Sequence, residues 1–284
     1  MTLVYKSSER PAQQAIPADE FRVSIVIPFY NHPHSITQVV DELKPLAAQM
    51  GARCYLVNDG SAAECQPVLN DLAAREADWL RVINYQPNQG KGAAVMTGME
   101  AAARDGYTHA IQIDADGQHR VADVQGLLQL AKNNPRAMIT GYGVFDASVP
   151  KSRLYGRYAT HIWVWINTLS LQIRDSMCGL RVYPLAALMK VWNRAQHAWL
   201  LRIGKRMSFD IEILVHLYWS GVRMINVPVP VIYPLDGVSH FKVLRDNWQI
   251  SAAHTRLFLG MLPRAPGLLL RTLTRGSRHS GNQI

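Results

Sequence analysis

The sequence has little of what marks secreted, zinc-binding or membrane-spanning proteins. Its 284 residues include three cysteines, an odd number without metal-ligand spacing, which disfavours a disulfide framework or a zinc site. No apolar run reaches the roughly 18 residues that a membrane-spanning helix needs, and residues 1–20 lack the apolar core of a signal peptide. We therefore predict a cytoplasmic protein, either soluble or bound peripherally to the inner face of the membrane.

Acidic residues are also scarce relative to basic ones. The chain has 21 Asp and Glu against 30 Lys and Arg, a formal net charge of +9, which favours anionic partners. No nucleic-acid-binding motif and no basic stripe with interleaved aromatic residues occurs, so we predict no nucleic-acid partner. A G-x-G-x-x-G motif is missing after the first predicted strand, which disfavours an NAD-dependent dehydrogenase.

Short apolar runs alternate with helical patterns from residue 21 onward. Strands are predicted at residues 23–27, 54–57, 80–83, 137–140, 222–227 and 229–233 and before the acidic pair near residue 114; helices at 67–77, 92–104, 121–133 and 209–220. Such alternation indicates an α/β fold, a doubly wound and mostly parallel sheet flanked by helices. The 48% hydrophobic content is enough for a large core.

Three local signals set boundaries in the first half of the chain. Pro28 is expected to end the first strand, because proline lacks the N–H that a strand donates. The segment from Ser35 to Gln38 has the pattern of a capping box and predicts a helix start at residue 36. Pro45 is expected to kink or end that helix.

The most informative segment is an apolar run that ends in two acids, Asp114 and Asp116, followed by Gly117. Charges at the end of a buried strand mark the edge of a sheet, where ligands of α/β proteins bind. Two carboxylates held together need a cation, and hard oxygen ligands favour Mg²⁺ or Mn²⁺ with substrate phosphate oxygens. We therefore predict a metal-bound diphosphate here; the alternative is an acidic turn that caps the next helix.

Other polar segments follow neighbouring strands. Asn58-Asp59-Gly60-Ser61 is either a ligand-binding loop or an ordinary turn with Asp59 as a helix cap. Lys91 stands between two glycines, where it would reach a phosphate or the acids of the metal site, or simply begin a flexible helix.

Six ordered motifs make the chain resemble the family 2 glycosyltransferases of GT-A fold, nearest to the branch typified by dolichyl-phosphate mannose synthase. The resemblance covers about residues 23–242. The motifs are Pro28-Phe29-Tyr30-Asn31-His32, Asn58-Asp59-Gly60-Ser61, Asn88-Gln89-Gly90-Lys91-Gly92, Asp114 to His119, Met177-Cys178-Gly179-Leu180-Arg181 and Phe209-Asp210-Ile211-Glu212.

The resemblance implies a nucleotide-sugar donor whose two phosphates are bridged by the metal. Asp116 is the first choice for a metal ligand. Asp114 would bind the metal or the hydroxyls of the donor's ribose and sugar, and Gln118 would complete the metal's coordination. The metal would offset the charge that develops on the departing diphosphate.

The resemblance also implies a pocket for the nucleotide base. Asp59 would accept a hydrogen bond from the base, and Pro28 and Tyr30 would line the pocket. Two positions depart from the family pattern, since His32 replaces a glutamate and Asn58 replaces an aspartate. The choice between UDP- and GDP-linked sugars therefore stays open.

An inverting single displacement is the mechanism that the resemblance implies. A polyprenyl phosphate acceptor is already anionic and needs no strong base, whereas a hydroxyl acceptor needs one within about 3 Å. Asp175, Asp210 and Glu212 are the candidate catalytic bases, with structural anchoring of a helix as their alternative role.

Basic residues would bind the acceptor phosphate. By resemblance, the candidates are Arg153, Arg181 and Lys242. The turn before Lys242 departs from the family pattern, because Pro234 stands where an arginine is expected.

We predict a metal-dependent inverting glycosyltransferase that moves a hexose from a nucleotide sugar to a lipid-linked acceptor at the cytoplasmic membrane surface. The alternatives are a soluble or non-prenyl hydroxyl acceptor and a noncatalytic sugar-nucleotide-binding protein. The predicted organisation is a flexible arm (1–20), a nucleotide-sugar-binding half (21–150), an acceptor-side half of the same domain (151–242) and a basic tail with amphipathic helices (243–284).

Overall fold

A computed structural model describes residues 21–145, 151–197, 199–231 and 243–279, with side chains described throughout except at 151–154, 243–244 and 273–279. Three sequence predictions lie outside this description: the arm at residues 1–20, Lys242 with the turn before it, and the side chain of Arg153.

One mixed sheet organises the described residues. In chain order, the strands and helices are β1 (Val23–Phe29), α1 (Ile36–Met50), β2 (Cys54–Asp59), α2 (Gln66–Arg75), β3 (Leu80–Tyr85), α3 (Lys91–Arg104), β4 (His109–Gln112), α4 (Val121–Asn133), β5 (Met138–Val144), α5 (Lys151–Thr168), β6 (Arg181–Pro184), α6 (Leu185–Ala195), α7 (Phe209–Trp219), β7 (Met224–Pro230), α8 (Val243–Met261) and α9 (Ala265–His279). Short 3₁₀ turns lie at 63–65, 199–201 and 262–264.

The seven strands have the order β3-β2-β1-β4-β6-β5-β7. β6 runs antiparallel to β4 and β5, and the other neighbours are parallel. The predicted α/β class with a mostly parallel, doubly wound sheet is therefore confirmed. β6 and β7 extend the same sheet with residues from beyond position 150.

Alternation along the central strand β1 builds a core on each face of the sheet. Ile25 and Ile27 belong to the core that includes residues of α1, α2 and α4. Val26 belongs to the opposite core, which continues through α3, α6 and α7 to α8 and α9. Because both faces are covered, β1 is apolar at every position except the buried Ser24.

The predicted end of β1 at Pro28 is wrong, because Pro28 pairs with Val57 inside the strand. The Ile25 N–H points to β2, where it donates to the Arg53 carbonyl, so the alternating position at Pro28 faces β4. The β4 ladder ends at the pair of Val26 and Gln112. The β4 ladder of the described residues therefore contains no residue that would need an N–H from position 28.

Two predictions for α1 are tested by the structure. The helix runs through Pro45, so of the two predicted effects of Pro45 the end of the helix is wrong. Pro45 is exposed, while Leu43 and Leu46 beside it are buried. Packing of the two leucines holds this turn of the helix, and water can bond to the backbone carbonyl four residues before Pro45, which receives no N–H from proline. The capping box is also wrong, because Ser35 makes no cap bond and instead donates from Oγ to the Ala115 carbonyl at 2.7 Å.

Strands were predicted at residues 222–227 and 229–233, and the structure has one continuous strand there, β7 (Met224–Pro230), while residues 232–233 lie outside the description. Among the described residues, β7 lies at the edge of the sheet and pairs with β5 alone. Its prolines, Pro228 and Pro230, are tolerated because an edge strand has one side without a ladder.

The C-terminal helices pack on the domain rather than extending from it. α8 contacts α5 and α7, and it buries Ala253, Leu257 and Met261. Within the described residues, no helix combines the length and the apolar character needed to cross a bilayer.

Candidate functional site

The motif loops meet where β1, β2 and β4 end. Asn31, just after β1, has a φ of 55°; its N–H donates to Ser61 Oγ at 3.1 Å, and its Oδ1 accepts from the Ala62 N–H at 2.8 Å. The Ser35 bond to Ala115 ties the start of α1 to the acidic loop after β4. Three loops that are distant in sequence thus form one connected edge of the sheet.

Asp59 braces the loop that leads to Lys91. Its carboxylate accepts from Asn88 Nδ2 at 2.9 Å, the Gln89 N–H at 2.7 Å and the Gly90 N–H at 2.9 Å. Burial raises the pKa of Asp59, and the two backbone bonds only partly offset that effect. Because both oxygens are bonded within the protein, a contact with the nucleotide base would have to compete with these bonds.

Lys91 joins two acids from different parts of the chain. Its Nζ lies 2.9 Å from Asp114 Oδ1 and 3.0 Å from Asp210 Oδ2. Burial works to lower the pKa of Lys91, but the charges of Asp114 and Asp210 outweigh it and raise that pKa. Lys91 therefore stays charged and holds the start of α7 beside the acidic loop.

Asp210 has a second cationic partner in Arg181. The Arg181 guanidinium donates to the Asp210 carbonyl at 2.8 Å and lies 3.4 Å from its Oδ1, and it also donates to the Ser176 carbonyl. Arg181 is 0% exposed. The sequence placed Arg181 at the acceptor phosphate, whereas the structure encloses it within the protein, where its charge acts on Asp210.

A close approach of backbone explains the glycine in the 177–181 motif. A Cβ at Gly179 would overlap the Asp114 carboxylate. Only glycine therefore lets this turn pass beside the acid while Lys91 holds the carboxylate from the other side.

Asp114 and Asp116 differ in their electrostatic surroundings. Burial opposes ionisation of Asp114, but Lys91 outweighs it and holds the pKa of Asp114 below its ordinary value. Burial and the neighbouring Asp114 charge raise the pKa of Asp116. Asp116 accepts the Gln118 N–H at 3.1 Å, and no ion pair to Asp116 occurs in the described part of the chain.

A divalent ion fits these residues. Within the described ranges, no group of three or more His, Cys, Asp or Glu side chains is placed to hold a metal by itself. A Mg²⁺-type ion needs only one or two protein carboxylates when substrate phosphate and water complete its shell. Burial and the Asp114 charge disfavour ionised Asp116 more than Lys91 and His119 favour it, so a cation beside Asp116 would stabilise its charged form. The buried Nδ1 of His119 is without a hydrogen-bond partner among the described residues.

Asp175 shapes the neighbouring turn. It accepts from Arg157 Nη2 at 2.5 Å, from the Met177 N–H at 2.8 Å and from His161 Nε2 at 3.2 Å. Burial alone would raise the pKa of Asp175, but these donors and the Gly143 N–H hold that pKa well below its usual range. A carboxylate with so many donors is a weak proton acceptor.

Glu212 is buried on α7 and links two other segments. It accepts from the Gly204 N–H and from Arg256 Nη2 of α8. Burial raises the pKa of Glu212 despite these bonds. Of the three predicted bases, only Asp210 contacts Lys91, so the structure brings Asp210 to the acidic edge and places Asp175 and Glu212 in supporting contacts.

Two arginines that contact residues of the site were not among the predicted site residues. Arg206 donates to Asn88 Oδ1 at 3.0 Å and covers the Lys91 loop, and Arg256 binds Glu212. The basic run at residues 202–206 was a visible signal for Arg206. Arg256 had no local signal, because its partner lies 44 positions earlier.

The comparisons with known proteins agree with this geometry. Residues 24–202 match the family described as glycosyl transferase family 2. The chain is similar to the dolichyl-phosphate beta-glucosyltransferase of Saccharomyces cerevisiae, at 24% identity over 74% of this chain and 67% of that protein. It is also similar to the polyprenol monophosphomannose synthase of Mycolicibacterium smegmatis, at 24% identity over 73% of this chain and 76% of that protein.

Solved structures share the fold. The glucosyl-3-phosphoglycerate synthase of Mycobacterium tuberculosis, crystallised with Mn²⁺, uridine-diphosphate-glucose and phosphoglyceric acid, aligns with a TM-score of 0.56. The alignment has 15% identity and covers 89% of this chain and 85% of that one. The likeness supports the predicted GT-A architecture.

Proposed function

Since the chain belongs to glycosyl transferase family 2, we propose that it transfers a hexose from a nucleotide sugar to a lipid phosphate. The observation that carries this proposal is the edge where Lys91 joins Asp114 to Asp210, while Asp116 forms no ion pair among the described residues and has a raised pKa. Similarity to dolichyl-phosphate and polyprenol transferases supports the lipid acceptor.

We propose that Asp116 and Gln118 hold the divalent ion, with Asp114 beside them. When bound, Mg²⁺ or Mn²⁺ would offset negative charge on the departing diphosphate. The structural neighbour with Mn²⁺ and uridine-diphosphate-glucose supports such an ion, and the choice between the two metals is left to experiment.

The residues of the edge have separate tasks in this proposal. Lys91 fixes the two acids at 2.9 and 3.0 Å and supplies positive charge near the leaving group. Pro28 and Tyr30, half-buried at the end of β1, would line the base pocket. Asp59 would set the position of the Lys91 loop as well as face the base.

Asp210 would hold Lys91 in position during transfer. An acceptor phosphate is already ionised, so its oxygen attacks the anomeric carbon without a base while the bond to the nucleoside diphosphate breaks. For a hydroxyl acceptor, Asp210 is the base candidate that contacts Lys91. Arg153 and Lys242 stay proposals for contacts with the acceptor phosphate.

We propose a peripheral position on the cytoplasmic face of a membrane, and the surface of α5 supports contact with a membrane surface. Tyr155, Tyr158, Ile162 and Ile166 follow the helical repeat and are 37% to 70% exposed. An exposed apolar stripe on a basic protein is typical of helices that lie in a membrane surface. Such a position would bring the site to a lipid-embedded acceptor.

A donor screen with product identification tests the proposal. Full-length protein is incubated with UDP- and GDP-hexoses, polyprenyl phosphate in vesicles and either Mg²⁺ or Mn²⁺, and lipid and soluble products are identified by mass spectrometry. We expect one donor to yield a polyprenyl-phosphate hexose, lost on chelation. Transfer only to a soluble hydroxyl, or donor binding without turnover, would favour the alternative functions.

A further inference from the structure

A basic groove lies between residues 199–208 and the first half of α8. It has a volume of about 430 Å³, within the size range of small-molecule sites. Four cationic side chains line it, and no acidic side chain does so among the described residues; the four are Arg202, Lys205, Arg206 and Arg256. The groove is therefore suited to an anion.

Polar groups in this groove lack partners. Arg256 Nε and Gln249 Oε1 are buried, line the groove and have no hydrogen-bond partner among the described residues. Arg202 and Lys205 are exposed, and neither takes part in an ion pair within the described part of the chain. The donors of Arg202, Lys205 and Arg256 Nε are therefore available to a bound anion while Arg256 Nη2 stays on Glu212, and Gln249 Oε1 can accept a hydrogen bond from a protonated ligand group.

Two tryptophans flank the basic wall. Trp199 is 68% exposed and Trp248 is 75% exposed, and both line the groove. Indole rings combine an apolar body with one N–H and favour the boundary between a bilayer and water. The groove therefore combines cationic side chains with exposed aromatic rings of the kind that favour a membrane–water interface.

The groove opens beside the acidic edge. Gln89 lines it, and the Gln89 N–H is bonded to Asp59, two residues before Lys91. Ser208 lines it from the other side, two residues before Asp210. A ligand in the groove would thus lie next to the loops that carry the Lys91 cluster.

We propose that this groove binds the phosphate of a membrane-embedded polyprenyl monophosphate, with Arg202, Lys205 and Arg256 on the phosphate and Trp199 and Trp248 at the bilayer surface. The proposal rests on the proposed function and locates its acceptor. The tryptophans favour a lipid over a soluble phosphate ester, because a soluble ester gives exposed indoles nothing to contact.

A matched pair of double variants tests the groove. Arg202→Gln with Lys205→Gln removes two exposed charges from it. Lys132→Gln with Arg136→Gln removes the same charge from exposed positions at the end of α4 and in the turn before β5. Both variants keep the fold, which thermal unfolding checks.

Binding is measured by sedimentation with phosphatidylcholine vesicles that contain polyprenyl phosphate, with equal charge as phosphatidylglycerol in a second set. We expect the groove variant to bind the polyprenyl phosphate vesicles about tenfold more weakly and to raise the acceptor KM similarly, with donor KM unchanged. The control variant should match wild type. Trp248→Ala should weaken the same binding.

Each of the following outcomes would contradict the proposed role of the groove. Equal loss in both double variants, or equal wild-type binding to phosphatidylglycerol, would indicate a general attraction to anionic surfaces. A matching rise in donor KM would assign the groove to the donor, and full competition by 3-phosphoglycerate would assign it to soluble phosphate esters. Failure of the proposed function is separate: wild type would bind the lipid phosphate through the groove yet transfer no hexose.

Discussion

The edge formed by β1, β2 and β4 and the surface formed by α5, α8 and residues 199–208 are built in opposite ways. At the edge, Asp59, Asp114 and Asp210 each have bonded partners within the protein. On the helical surface, Trp248 and Arg202 project with few constraints. A preorganised edge suits a charged donor whose reacting atoms must be held in a fixed position. An open, amphipathic surface suits a lipid.

The largest effect should come from Asp116→Asn at the edge. Loss of a metal ligand removes charge stabilisation on the leaving diphosphate, so kcat should fall about a thousandfold or more. The measurement is the transfer assay with saturating Mn²⁺. Asp123→Asn, at an acid paired with Arg120 on α4, is the control and should keep wild-type turnover. Normal turnover by Asp116→Asn would contradict the assignment.

Arg181→Leu at the edge should destabilise the protein much more than a substitution on the helical surface. Removing the buried guanidinium leaves the Asp210 and Ser176 carbonyls without these donors, which we expect to lower the free energy of unfolding by about 3–5 kcal/mol. Arg202→Gln on the open surface should change it by less than about 0.5 kcal/mol. Urea unfolding measures both, and equal effects would remove the contrast.

Acid should lower the free energy of unfolding through two buried histidines on α7 and α8. Burial lowers the pKa of His216 on α7 and of His254 on α8 to about 4. The unfolded chain takes up protons near the ordinary value of about 6.5, so stability falls as pH drops from about 6.5 towards 4 and is retained above that window. Each histidine contributes up to about 3 kcal/mol. Urea unfolding at pH 7.5 and 5 should show the loss, and His254→Gln should reduce it.

The smallest effect concerns the α5 stripe. Ile162→Ser removes one exposed apolar side chain, so vesicle binding should weaken by a few fold while unfolding changes little. Vesicle sedimentation at low salt gives the measurement. Binding equal to wild type would argue that α5 does not face a membrane.

Local sequence patterns predicted most of the fold but much less of the functional surface. The alternation of strands and helices and the six motifs were legible because each depends on neighbouring residues. The strand end predicted at Pro28 is wrong because its tolerance depends on the length of β4, which is distant in sequence. The helix end predicted at Pro45 is wrong because that turn faces solvent, which depends on how α1 packs on the sheet. The groove was invisible for the same reason, since Arg202 and Gln249 come together only through packing of α8.

The most direct test of the account is Mn²⁺ binding measured by calorimetry with and without UDP or GDP, in wild type and in Asp116→Asn. We predict that one nucleoside diphosphate tightens Mn²⁺ binding to wild type and that Asp116→Asn loses this coupling while keeping its fold. Equal Mn²⁺ affinity in the two proteins, with the nucleotide bound to both, would contradict the central role given to the acidic edge.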